Sequence, residues 1–482
     1  MSEQKKKKIA VISSRLKTID DDAIEAEKWI EKYLILGYEV HLISGKIGEP
    51  TELPKLVIPE MDYKHSEARG VKRIMFANKL EKSGMKAANI LLDALVNRIH
   101  SPLKRYISDN KIDIISVENV LGNLKNPALS IALTKVIKDS GLPTISRYHS
   151  FYWNEPYFEK NNNFPDLIKQ NPPDLKNMTH ITNSSFAQQA LLERKKIKSM
   201  LIPNVIDIDH IQRLDDYNKD FREAFGIRDD QLIFLQPTRI NRNKCIERSI
   251  KIVREMNEIT KKDNVLMITG PPVYFRGNYF EDIVRKINKA KVNVILAHDR
   301  VFIARHNNKD QKFYSLNDAY LHADMVMFPS QSEDYGLPVL YAMAYKKPLF
   351  VNNYSNLKDI LEKKPKFLLI DGKITNETIS DVYEALHNKE KKEEMIEHNF
   401  RLLKENYSSD MLDDNIVPLL NKFEKKSFLK KLQTTFVKTK AKYNPFRKDD
   451  AKKPAPQKVT PLKKKEKKET LKNKKGGYKD PK

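Results

Sequence analysis

The first half of the chain alternates short β-branched runs with longer amphipathic stretches. KIAVISS (8–14) predicts a buried strand, and 22–36 predicts a helix with Trp29, Ile30, Tyr33 and Leu34 on one face. Gly37 ends that helix, and EVHLIS (39–44) begins the next strand. Helical periodicity follows over 76–97 and 99–108, then a strand over 112–117 and a helix over 127–139. Strands over 144–149 and 180–185 precede a helix over 186–195. The second half restarts the pattern. Strands are predicted over 231–237, 264–270, 292–297, 325–329 and 348–353. Helices over 244–258, 278–289, 316–322, 338–345 and 376–388 alternate with them. Apolar strands separated by helices predict parallel sheets covered on both faces. The expected class is therefore α/β, with two doubly wound Rossmann-like domains facing across a cleft. Their expected bounds are 1–205 and 206–424, joined near PNVIDIDHI (203–211). Such sheets bind ligands beyond the carboxyl ends of their strands.

Length agrees, since 482 residues exceed what one core usually supports. Cys245 is the single cysteine, which excludes an intramolecular disulfide framework and a thiolate zinc site. No apolar run is long enough to span a bilayer. The N-terminal MSEQKKKKIAVISS has an apolar run too short for a signal peptide and reads as a first strand. The net charge of +24 changes the picture only once it is located. Residues 425–482 hold 22 Lys and Arg against 5 Asp and Glu, a net of +17, leaving +7 for the rest. This Lys-rich tail is expected to be disordered. Its opening stretch, 425–447, alternatively forms a basic amphipathic helix on a surface. An anionic membrane surface is the partner that the tail suggests. Nucleic acid is not expected, because no reading module accompanies the lysines. The expected location is cytoplasmic, with peripheral attachment at the inner membrane surface open through the tail.

Two stretches carry candidate chemistry. In FLQPTRINRNKCIERSI (234–250), Arg239 and Lys244 sit on a loop entering a helix, where backbone N–H groups and cations attract phosphate. Two solvated surface charges are the alternative. In ADMVMFPSQSEDYGLPVLYAMAYKKPLFVNN (323–353), a strand runs into Glu333, and Gly336 would allow close backbone approach to a ligand.

Together these stretches resemble the donor-binding signature of retaining, nucleotide-sugar-dependent glycosyltransferases of the GT-B fold, family 4. That family carries P-S-x-x-E-G-[FWY]-G-x-P-x-L-E-A-M-A and an R-x4-K pair. The resemblance covers about 8–405 and includes SRYHSFYW (146–153). ISSRLKTIDDDAIEAEKW (12–29) is similar to the opening of a subgroup acting on small polar acceptors such as glycerate glycosides. The resemblance implies a GT-B enzyme moving a sugar from a nucleotide-diphosphate sugar, with retention, to a small-molecule, glycan or lipid acceptor. It implies no metal and no resident cofactor. Arg239 and Lys244 would hold the donor diphosphate, and Glu333 the sugar hydroxyls. Asp334, Tyr335, Gly336 and Leu337 would line the donor, and Arg300 would lie beside the base. His149 would face donor and acceptor, or else be a satisfied core histidine. Arg239, Lys244, Glu333 and His149 are the catalytic candidates, and Arg15, Asp20, Asp21 and His149 the acceptor-side ones.

Three departures qualify the match. Tyr341 replaces the glutamate that binds ribose in the family. Residues 17–22 lack the usual glycines, and Asp20, Asp21 and Asp22 there either recognise an acceptor or cap a helix. Cys245 and Asp334 replace common glycines, Cys245 reading as a packing residue. Two other readings follow: a degenerate member that binds without catalysis, and a polyanion-binding protein acting through its tail.

Overall fold

A computed structural model describes residues 6–18, 20–77, 79–155, 158, 163–273, 278–308 and 311–423. The tail and its candidate helix lie outside the described residues. Seven strands form a parallel sheet in the order Lys55–Val57, Glu39–Ser44, Lys8–Ile12, Ile114–Glu118, Thr144–Tyr148, Met178–Thr182 and Met200–Leu201. Six more form a second parallel sheet, Asn293–Leu296, Val265–Ile268, Ile233–Gln236, Met325–Phe328, Leu349–Asn352 and Leu368–Ile370. In each sheet the first strand of the lobe lies inside, and chain order reverses beside it. That reversal opens a crevice where the loops after Lys8–Ile12 and Ile233–Gln236 leave in opposite directions. The two-lobed α/β class read from the sequence is the observed one.

Period-two alternation builds both cores. Ala10 and Ile12 pack on one face of the first sheet with Leu95 and Ile99. Ile9 and Val11 pack on the other face with Trp29 and Ile30. The short strands Lys55–Val57, Met200–Leu201 and Leu368–Ile370 escape the sequence pattern because they are only two or three residues long and largely exposed. A further small sheet of Val301–Phe302, His306–Asn307 and Lys312–Ser315 is missed because its strands are short too.

Two differences from expectation have clear causes. The helices expected over 76–97 and 99–108 are one helix, Lys82–Asp109, with Pro102 inside it, preceded by Ser66–Met75. An interior proline costs roughly 3 kcal/mol. The buried stripe of Leu92, Leu95, Val96, Ile99, Leu103 and Ile107 runs through the proline and offsets that cost. The last helix, over 410–423, does not serve the second lobe. Its Leu412, Ile416, Leu419 and Phe423 join the core beneath Trp29 and Ile30 of the first lobe. Lys32 Nζ donates to Asp413 Oδ2 across that contact at 2.9 Å. The lobes also meet directly: the Ser185 amide donates to Asp359 Oδ2 at 2.6 Å.

Candidate active site

The second lobe supplies two cations and a carboxylate. Strand Ile233–Gln236 leads to Arg239, a tight turn at Arg242–Lys244, and the helix Ile246–Thr260. Gln236 Nε2 donates to the Lys244 carbonyl at 2.9 Å and fixes this turn. Cys245, at φ 49°, makes the left-handed step into the helix, which explains why a glycine is common in its place. Arg239 is exposed in the crevice and makes no hydrogen bond or ion pair among the described residues. Gly270 lets the neighbouring loop pass close by, since a Cβ there would lie 2.5 Å from the Arg239 amide nitrogen.

The signature loop is held largely through its main-chain carbonyls, with Ser332 Oγ donating in addition to Asn243 Oδ1 at 2.9 Å. Arg248 Nη1 donates to the Pro329 carbonyl at 2.9 Å, and Asn243 Nδ2 to the Ser332 carbonyl at 2.7 Å. Asn356 Nδ2 donates to the carbonyls of Glu333 and Asp334 at 2.7 and 2.8 Å. So fixed, Glu333 Oε1 meets Lys244 Nζ at 2.5 Å, with both side chains largely shielded from water. Gly336 starts the helix Leu337–Ala344 at φ 96°. A Cβ there would lie 2.0 Å from the Tyr354 hydroxyl, which donates to the Tyr335 carbonyl. Gly336→Ala is therefore expected to displace the loop and cost about 1–3 kcal/mol of stability. Urea unfolding checks this, and a wild-type stability would refute it.

The first lobe faces these groups with an ionic network. His149 follows strand Thr144–Tyr148 and sits between two carboxylates, with Nε2 2.6 Å from Glu118 Oε1 and Nδ1 3.4 Å from Asp22 Oδ1. Burial opposes its charge, but Glu118 and Asp22 outweigh it and raise its pKa to about 9. Burial would likewise raise Asp22, yet Lys125 at 3.0 Å and His149 hold it well below the usual carboxylate range. Asn119 Nδ2 also donates to Asp22 Oδ1 at 2.8 Å. Asp20 contacts Arg15 Nη1 at 2.7 Å and accepts from Thr18 and Tyr63. Although Asp20 stands at the N-cap of helix Asp21–Ile35, its side chain accepts no capping hydrogen bond. The capping alternative therefore fails there, because the carboxylate is turned to Arg15. Asp21 points into the crevice. Surrounding protein raises its pKa, and Arg239 and Lys244 partly offset that rise. A small recess, with room for little more than one water molecule, opens beside this group, lined among others by Ser14, Arg15, Asp20, Asp22, Tyr63 and Lys125.

The lobes come together at Asp334. Asn154 Nδ2 reaches its Oδ1 at 3.4 Å from the first lobe. Burial raises the pKa of Asp334 to about 6, with Lys125 and His149 pulling down and Glu333 and Asp22 pushing up.

Arg239, Lys244, Glu333, Asp334, Asp21 and His149 are thus gathered, as are Arg15 and Asp20 beside the recess. Three candidates stand differently. Arg300 donates through Nη1 to the Ala224 carbonyl at 2.5 Å and lies over the Phe225 ring at 4.7 Å, so its side chain is committed to packing and does not join the group. The Tyr335 ring is buried in the core, leaving only its main chain for a ligand. Tyr341 stacks on Tyr320 at 5.4 Å, and its environment includes Lys28, Glu25 and Asp21. Its hydroxyl has no hydrogen-bond partner among the described residues, so it remains available. Sequence reasoning missed Glu118, Lys125, Asn119, Asn243 and Asn356. The one usable signal was Glu118, a carboxylate ending a fully buried strand.

Two doubly wound lobes, with cations at the mouth of the second sheet, form the GT-B fold. Residues 218–402 match the family of glycosyl transferases group 1. It is 28% identical to a mannosylglucosylglycerate synthase of Petrotoga mobilis over 72% of this chain and 82% of that protein. It is 26% identical to the mannosylglucosylglycerate synthase of Thermotoga maritima, covering 84% of this chain and 98% of that protein. The crystal structure of a glycosyltransferase from Rickettsia africae superposes with a TM-score of 0.60 at 15% identity, over 87% of this chain and 99% of that one. No helix of the described residues is long and apolar enough to cross a membrane.

Proposed function

We propose that the chain transfers a hexosyl group, with retention, from a nucleotide-diphosphate sugar to a glycerate glycoside or a similar small polar acceptor. The observation that carries this reading is the Lys244–Glu333 pair at 2.5 Å beside the exposed Arg239. Fixed cations at a strand mouth can bind a diphosphate and stabilise the charge that develops as it leaves. Glu333, oriented by Lys244, can accept hydrogen bonds from donor hydroxyls. The leaving phosphate would take the acceptor proton on the same face of the sugar. The acceptor class is supported by the names of the two curated relatives. Retention and the nucleotide donor come from the resemblance of the paired motifs.

Calorimetry with uridine, guanosine and adenosine diphosphates and their sugars tests donor binding. The reading is abandoned if none binds. Anomeric analysis of the product by NMR tests retention. The same reading needs neither metal nor resident cofactor, because Arg239 and Lys244 supply the positive charge. Turnover is expected to survive exhaustive EDTA treatment within about twofold, and loss restored by a divalent ion would contradict that part.

A further inference from the structure

The two ring nitrogens of His149 are set against carboxylates from two different elements. Glu118 comes from strand Ile114–Glu118 and Asp22 from helix Asp21–Ile35. The Nε2–Oε1 approach of 2.6 Å is off the line of an ideal hydrogen bond, so charge rather than directionality holds it. A bare ring nitrogen at that distance would set lone pair against lone pair, which repels. The other Glu118 oxygen accepts from Arg147 Nη1 at 2.8 Å. Arg147 is in turn fixed with its guanidinium 4.1 Å from the Trp29 ring and 4.0 Å from Glu25. Glu118 and Arg147 are both 2% exposed or less, so neither can relax into water. The charged groups facing the ring are Glu118, Asp22, Arg147 from its own strand, and Asp334 from the second lobe.

We infer that Glu118 is a positioning residue for His149: backed by Arg147, it holds the ring with a proton on each nitrogen, so that His149 serves the transfer as a fixed cation and not as a proton shuttle. The last clause rests on the reading of the chain as a transferase, whereas the state of the ring does not. The raised pKa of about 9 agrees in direction with the geometry. A group raised above its ordinary value keeps its charge below that value and loses it as pH climbs through the raised one. With both nitrogens engaged, the ring offers no free site for accepting the acceptor's proton. That leaves the departing phosphate as the base.

Nitrogen NMR of the full chain, labelled at histidine, tests the ring directly. The His149 signal is identified by its loss in His149→Gln. Both nitrogens are expected to be protonated at pH 7.5, with the transition near pH 9. In Glu118→Gln the midpoint is expected to fall by about one unit or more, because the neutral amide keeps its shape but not its charge. The basic limb of the activity profile should move with it. A neutral ring at pH 7.5 in the wild-type chain, or an unmoved midpoint in Glu118→Gln, overturns the inference. A moved midpoint with an unmoved activity limb overturns the role in transfer. The wild-type measurement needs neither a folded variant nor a known donor, so it stands apart from any failure of the transferase reading.

Discussion

Lys244→Ala is expected to lower kcat/KM by about a hundredfold to a thousandfold, the usual loss when one preorganised group is removed from a developing charge. Two effects combine in this change. The ammonium is the shielded cation of the donor crevice, and it also holds Glu333 in place at 2.5 Å. Its removal leaves a carboxylate without a partner where a sugar hydroxyl and a phosphate should bind. Glu333 then repels the diphosphate that Lys244 had attracted. Lys244→Arg separates the two effects, since it restores charge but fits a bulkier planar fork where a compact ammonium stood. It should recover nucleotide affinity more fully than turnover. Arg239→Ala removes an exposed cation with no structural partner, so it should weaken donor binding about tenfold and leave the fold intact. The measurements are nucleoside diphosphate affinity by calorimetry and steady-state rates on whichever donor proves active. Near wild-type turnover in Lys244→Ala would exclude the proposed donor site.

Arg147→Ala should produce the largest loss of stability, about 3–5 kcal/mol, the range seen when one member of a buried ion pair is removed. Arg147 is 2% exposed and stands between Glu118 and Glu25, flat on Trp29. The change leaves Glu118 only His149 and Glu25 only Lys28 as cationic partners, and opens a void beside the indole ring. Arg147→Met fills most of the void but does not restore the charge, so it should recover only part of the loss. Double replacement, Arg147→Met with Glu118→Gln, should recover more than the single changes predict, because the unmatched charge goes with its partner. Urea unfolding followed by tryptophan fluorescence reads these differences. A loss below about 1 kcal/mol for Arg147→Ala would mean that water reaches the cluster and that the pair is not buried.

Much of this architecture is legible in the chain itself. The strand over 39–44 is observed as Glu39–Ser44, and that over 292–297 as Asn293–Leu296, because apolar runs of four to six residues between turn signals leave few other solutions. Arg239, Lys244 and Glu333 were legible because each lies at a strand-to-helix junction, where a parallel sheet puts its ligands. The long helix Lys82–Asp109 is read from the sequence as two segments, because local periodicity does not weigh the buried stripe that runs through both.

Local sequence therefore determined the two sheets, the order of their elements and the short stretches that reach the crevice. It did so because strand and helix periods report which faces of each segment are buried. Only the tertiary structure decided which charges meet. Asp22 and Lys125 are 103 positions apart, and Lys244 and Glu333 are 89 apart. Their pairing follows from which strands lie side by side and from the length of the loops between them. The same holds for Arg300, whose packing on Phe225 depends on a segment 76 positions away, and for the helix over 410–423, which crosses back to the first lobe. Burial then turns those meetings into chemistry, because away from water a charge is stable only beside a partner.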